Sequence, residues 1–251
     1  MAKFDGIFEI QGTLKGMTFY KTKDGLLIRT KGGVSKDRIA HDPAFQRTRE
    51  NGTEFAHLAE CGQLIRKGLG GMLKLAKDRH MSSRMMSVLS KVKNLDTTSP
   101  RGERKVAIGL ADQEGKNLLR GFDFNNGSRF DRVFRSLYTL DTTTGTFSVD
   151  DFLASEMLSL PEGATNVSLS VAAGLVDFET GDYVTAISPK TNLAVSDPAQ
   201  PISLASAALP TGTGYLFFYF LLEFFQEING EQYPLKNHAH NVLTLLEVTD
   251  A

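Results

Sequence analysis

The stretch from Tyr215 to Phe225, Tyr-Leu-Phe-Phe-Tyr-Phe-Leu-Leu-Glu-Phe-Phe, carries one charge, Glu223, and constrains the fold more than any other part of the sequence. A bilayer span needs about 20 apolar residues, so a run this short reads as a buried strand. Successive side chains of a strand take opposite faces. Leu216, Phe218, Phe220, Leu222 and Phe224 then fill one face, while Phe217, Tyr219, Leu221 and Phe225 occupy the other. A sheet in a sandwich normally turns one face to water. Here both faces demand cover, from the chain's own N-terminal helices or from another molecule.

The surrounding residues share this β character. From about Arg120 the chain breaks into short segments separated by turn signals: Phe122–Phe124, Leu137–Leu140, Thr146–Val149, Asn166–Val171, Gly174–Phe178, Tyr183–Ile187, Pro201–Ala205, Tyr215–Ile228, Gln232–Leu235 and Asn241–Val248. Thr144-Gly145, Thr180-Gly181 and Asn229-Gly230 punctuate them, and Asn229-Gly230 predicts a tight type I′ hairpin. The spacing predicts an immunoglobulin-like antiparallel β-sandwich over residues 121–251.

Residues 1–120 read differently. A small β-meander is expected over residues 6–30, from Ile7–Ile10 through Gly16–Lys21 and the Lys23-Asp24-Gly25 turn to Leu26–Thr30. So small a sheet needs something to cover it. After a Gly-rich basic linker, Asp42-Pro43 supplies an N-cap and a first helical residue. Apolar residues then recur at helical spacing from Phe45 to Ala76, interrupted by Gly52, Gly62, Gly68, Gly70 and Gly71, which predict a broken or closely packed helix. A second helix is expected from Ser82 or Ser83 through Val92, and a third from Gly102 to Leu119. The fold class is therefore α+β: a basic meander and helical hairpin or bundle over 1–120, then an acidic sandwich over 121–251.

Charge follows the same division. Residues 1–135 hold 26 Lys and Arg against 15 Asp and Glu, a surplus of 11 positive charges, whereas residues 136–251 hold 2 against 14, a surplus of 12 negative charges. Opposite fields on one molecule favour head-to-tail contact between copies, which grows into a filament or sheet when it does not close into a ring. The alternative is neutralisation within one monomer. Cys61 is the single cysteine, so no intramolecular disulfide forms and the fold must rest on packing. Asp5 and Glu9 interrupt the first residues, where a signal peptide would need an apolar core, so the expected location is cytoplasmic, or released without a signal peptide.

Motifs for chemistry are sparse. Thr30-Lys31-Gly32-Gly33-Val34-Ser35-Lys36 lacks the order of a phosphate-binding loop. His57 and Cys61 lie one helical turn apart, but two ligands do not make a metal site, and a surface His beside a small buried Cys is the better reading. His238 and His240 share a face if extended, and Asp177, Glu179 and Asp182 surround a turn without the spacing of a calcium loop. Neither a Ser-centred nucleophile elbow nor His-Glu-x-x-His occurs in the sequence. Basic residues from Arg47 to Lys105 offer an electrostatic footprint for nucleic acid, which the acidic C-terminal half opposes. The chain is expected not to be an enzyme, with no catalytic residues, no cofactor and no metal.

The segments Gly12–Gly25, Arg29–Ile39, Asp42–Phe45 and Arg47–Asn51 together resemble a family of uncharacterised bacterial proteins with no established activity. The resemblance covers about the first 55 residues and implies that the N-terminal module is a reusable unit joined to a β domain. It transfers no functional residue. The expected function is a structural protein that self-assembles through protein–protein contacts into a filament, tube or shell, its partner being itself. The candidate interface is Phe19, Tyr20, Arg29, Lys31, Phe217, Tyr219, Leu221 and Phe225. A monomeric β-sandwich module binding a carbohydrate or peptide is the alternative, with nucleic-acid binding third.

Overall fold

The computed structural model describes residues 2–3, 10–23, 25–30 and 33–251. Ile7, Phe8 and Glu9 of the expected meander, Asp24 of its turn, and Lys31 and Gly32 of the linker lie outside these residues. The chain is mixed α and β and divides into two compact units, Met1–Asn51 and Gly52–Ala251. Among the described residues no helix is long and apolar enough to cross a membrane.

The first unit holds a four-stranded antiparallel sheet of β1 (Ala2–Lys3), β2 (Gly12–Leu14), β3 (Met17–Thr22) and β4 (Gly25–Thr30), in the order β1-β4-β3-β2. Lys15 and Gly16, both with positive φ, turn β2 into β3. A short helix α1 (Lys36–His41) follows, its first turn capped by Ser35, whose hydroxyl accepts from the Arg38 N–H at 3.2 Å. Asp42 caps as its sequence suggests, accepting from the Ala44 N–H at 2.9 Å, but what it opens is a 3₁₀ turn, Pro43–Phe45, leading into α2 (Gln46–Gly68).

The expected boundary at residues 120/121 falls inside the second unit, whose helices and large sheet share one hydrophobic cluster. After α2 come α3 (Met81–Asn94), α4 (Val106–Ala111) and α5 (Gln113–Leu119). The helix expected over Gly102–Leu119 is thus two, parted at Asp112, whose extended backbone ends α4 and whose carboxylate accepts from the Glu114 N–H to start α5. Despite its glycines α2 does not break before Gly68. A Cβ at Gly62 would touch Leu89, and one at Gly68 would lie 3.0 Å from Val176, so both sit where the helix is packed.

The remaining chain runs β5 (Phe122–Asp123), α6 (Phe130–Val133), β6 (Thr139–Asp141), β7 (Thr146–Phe152), α7 (Ala154–Met157), β8 (Asn166–Val176), β9 (Tyr183–Ile187), β10 (Thr191–Ala194), β11 (Gln200–Leu204), β12 (Tyr215–Ile228), β13 (Glu231–Pro234) and β14 (Val242–Asp250). Seven of these strands form one antiparallel sheet, β10-β8-β12-β14-β5, with β9 also on β8 and β13 on β12. The other three form a small sheet, β11-β7-β6. Two expected segments, Asn166–Val171 and Gly174–Phe178, are parts of the single strand β8, while β10 has no counterpart among the expected segments. Asn229 and Gly230, at φ 55° and 81°, join β12 to β13 in the predicted tight hairpin. Glycine meets no steric cost there, and asparagine little.

Strand β12 lies in the middle of the large sheet, and the chain itself covers both faces. Phe217, Tyr219 and Leu221 join Leu58, Ile65, Leu69, Met85, Leu89 and Leu110 beneath the helices. Phe220, Leu222 and Phe224 meet Phe147, Val149, Phe152, Ile202 and Leu204 of the small sheet. Each fully buried Phe or Leu contributes roughly 1.5–3 kcal/mol. The second unit is therefore three layers deep: helices, large sheet, small sheet.

The helix layer tolerates little extra volume. A Cβ at Gly109 of α4 would sit 2.0 Å from the Val92 carbonyl oxygen of α3, whereas one at Gly52 of α2 would meet nothing within 4 Å. Gly109→Ala is expected to cost at least about 1–3 kcal/mol in urea unfolding, and Gly52→Ala to gain up to about 1 kcal/mol. Equal midpoints for the two variants would contradict this packing.

Candidate functional site

The candidate interface residues lie in separate environments. On the first unit's sheet Phe19 is buried, Tyr20 is half-buried with the Arg29 guanidinium 5.5 Å from its ring centroid, and Arg29 is exposed. Lys31 lies outside the described residues. On β12, Phe217, Tyr219 and Leu221 are completely buried by the chain's own helices, so they offer nothing to a partner. The sequence identifies an apolar face but not the body that covers it. Phe225 is half-buried, paired with Asn166 and Pro234 across the neighbouring strands.

The strongest electrostatic feature is a buried cluster on α2 and α3. Glu54 is 4% exposed. Its carboxylate takes the Arg104 Nε at 2.7 Å and Nη2 at 2.8 Å, the Gly102 N–H at 2.9 Å, and the Lys93 ammonium. The Arg104 bonds, helped by Lys93 and Gly102 and opposed by burial, hold Glu54 at a pKa of about 2. Asp96, nearby in sequence to Lys93, accepts from the N–H groups of Thr98, Ser99 and Lys105 and from the Thr98 hydroxyl, at 2.9–3.0 Å. Burial opposes its charge, but these bonds outweigh that and keep its pKa below the ordinary range. Together the two carboxylates fix the 98–105 segment against α2 and α3. Sequence reasoning missed the cluster because the partners of Glu54 lie 39 to 50 residues from it.

His57, one turn from Glu54, uses Nε2 to accept the Val106 N–H at 3.1 Å and so caps the start of α4. Burial pushes its pKa down, aided by Lys105 and Lys93 and opposed by Glu60, which favours the neutral ring that this bond requires. The Cys61 sulfur lies 3.5 Å from the same nitrogen, but burial raises its thiol to about 12, far from an activated nucleophile. The pair is structural, with the His more enclosed than a surface residue.

The other candidates are likewise tied into the fold. Asp177 accepts from the Glu179 and Thr180 N–H groups and the Thr213 hydroxyl, stapling its turn. His238 Nδ1 lies 3.1 Å from the Asn241 amide nitrogen, and the His240 carbonyl accepts from Ser128. Among the described residues no group of three or more His, Cys, Asp or Glu is placed to hold a metal. Part of the basic tract also turns inward: Arg84 bonds the carbonyls of Asp123 and Phe124 and pairs with Asp78. Comparison with known proteins finds no matching family model, no matching curated sequence and no matching solved structure.

Two outcomes follow for stability. Glu54→Gln leaves Lys93 and Arg104 poorly compensated and is expected to cost about 3–5 kcal/mol by urea titration, with a cost below about 1 kcal/mol contradicting the cluster's role. Because the carboxyl is depressed in the fold, its contribution is complete above about pH 4.5 and drains away as pH falls toward 2. For His57 the folded pKa lies below the unfolded value of about 6.5, so its contribution is present above that pH and is lost on acidification. His57→Gln is expected to flatten the fall in stability between pH 7 and 5; an unchanged slope would assign that fall elsewhere.

Proposed function

We propose that this chain is a non-enzymatic structural protein that assembles head to tail with copies of itself into a filament, tube or shell, and that its two facing sheets constitute an immunoglobulin-like sandwich. The observation that carries the reading is the state of the first unit. Of its described side chains only Phe19 is buried, while Ile10, Leu14, Met17 and Val34 are exposed, Leu14 at 58%. A small sheet with so little core needs an added surface to be stable.

Charge favours a second copy as that surface. Residues 1–51 carry 10 Lys and Arg against 6 Asp and Glu, and residues 52–251 carry 18 against 23. On the second unit the receiving element is β9, an outer strand of the large sheet with no charged residue between Tyr183 and Ile187 and with Tyr183, Val184 and Ile187 all exposed. Edge strands that must stay unpaired usually carry a charge or a proline, and β9 has neither. Glu179 and Asp182 precede it in the chain and suit a basic partner.

Mass and morphology test this reading. Light scattering and negative-stain microscopy at low salt are expected to show ordered assemblies well above 27.5 kDa. They should loosen at about 1 M salt, where the Debye length is about 3 Å. Val184→Lys is expected to return monomers whose second unit stays folded by circular dichroism. Uniform monomers of the unaltered chain at both salts would sink the proposal.

A further inference from the structure

A cleft of about 420 Å³ opens on the second unit where Arg120, the residue after α5, faces the loop into β6 and the middle of β14. Tyr138 forms one wall and is 39% exposed. Its ring stacks on the fully buried Phe147 at 4.9 Å and 21° and meets the edges of Phe130 and Phe134 at 5.6 Å and 6.2 Å. With one face held by Phe147, the ring is a fixed platform rather than a mobile surface aromatic. Arg120 and Glu247 form an ion pair among the lining residues, and Thr142 supplies a hydroxyl. Leu246, buried, sits on β14 where the β12 pairing shifts register between Phe218 and Tyr219.

We propose that this cleft is a saccharide site, binding a neutral pyranose whose C–H face packs on Tyr138 and whose hydroxyls bond Arg120, Glu247 and Thr142. Each alternative class fails on a feature of the lining. Among its described lining residues Arg120 is the only cation, and it is already neutralised by Glu247, so a phosphate or carboxylate finds no uncompensated positive charge, and an amine no free negative one. A wholly apolar ligand would strip water from the ion pair and the threonine without replacing its hydrogen bonds. A pyranose matches both halves: a flat apolar face for the ring, and a rim of groups that donate and accept. The volume lies at the lower end of the range for ligand pockets and suits one or two sugar rings. The inference is independent of self-assembly and holds for a monomer or an assembled copy.

The test is saturation-transfer NMR on the full chain with glucose, galactose, mannose, N-acetylglucosamine and maltose, each at millimolar concentration. At least one is expected to receive saturation, strongest at its ring C–H protons. Affinity should fall at least tenfold in Arg120→Ala and in Tyr138→Ala, and hold in Tyr233→Ala, an exposed tyrosine of β13 outside the cleft, with folding checked by circular dichroism. Should Tyr138→Ala fail to fold, Arg120→Ala, altered at a half-exposed rim position, decides the matter. No transfer to any of the five sugars would overturn the proposal. So would equal binding in folded Arg120→Ala, or displacement of the sugar by inorganic phosphate.

Discussion

Everything in the second unit answers to the two apolar faces of β12. A strand between β8 and β14 has its backbone groups satisfied on both sides, so its remaining demand is for cover above and below the sheet. The helices meet one demand and the small sheet the other. Their fit is close: a Cβ at Gly174 of β8 would lie 2.6 Å from the Gly68 carbonyl oxygen at the end of α2, so only glycine lets helix and sheet approach this far. The Thr185 hydroxyl also donates to that carbonyl at 2.8 Å, tying β9 to the same helix end.

That arrangement changes the meaning of the charge asymmetry. The basic residues between 52 and 135 belong to the same body as the acidic residues beyond 136, and some neutralise each other within it. Lys116 pairs with Asp250 at 2.7 Å, and Arg120 with Glu247. The first unit keeps only a smaller positive surplus, a weaker driving force for the proposed contact between copies than the raw halves imply. The interior charges of Glu54, Lys93 and Arg104 serve a different end. Buried ion pairs add little net stability over apolar packing, but they penalise every arrangement that separates them. Here Glu54 of α2 pairs with Lys93 of α3, linking the two helices, and with Arg104 of the segment that follows α3.

Particular residues show what the sequence disclosed. Tyr215–Ile228 and Tyr183–Ile187 match their strands end to end, because alternating or continuous β-forming residues leave little ambiguity. Asn229-Gly230 worked for a local reason, since its backbone preference needs no tertiary help. β8 reads as two segments, Asn166–Val171 and Gly174–Phe178, because Ala172 and Ala173 between them and Gly174 at the start of the second are poor strand formers. It holds together because Tyr219, Phe218 and Phe217 of β12 pair with those three residues and make small side chains fit. The Glu54 cluster had no local signature at all, and the apolar run showed that Phe217, Tyr219 and Leu221 need cover without showing which body supplies it, since both depend on segments far apart in the chain.

Closing both faces of a sheet leaves its edges as the places where the backbone can still pair. At one edge β5 contributes only two residues opposite β14, and Arg120, Tyr138 and Glu247 gather nearby into a cleft. At the other, β9 is five residues long and uncharged. A short edge flanked by a pocket suits a small ligand, because there is little strand for another chain to extend. A longer, charge-free edge suits a strand, because the N–H and C=O groups of alternate residues point outward from it. The two rims of the sheet thus differ in kind, and with both faces of β12 covered they are the parts of the sheet left open.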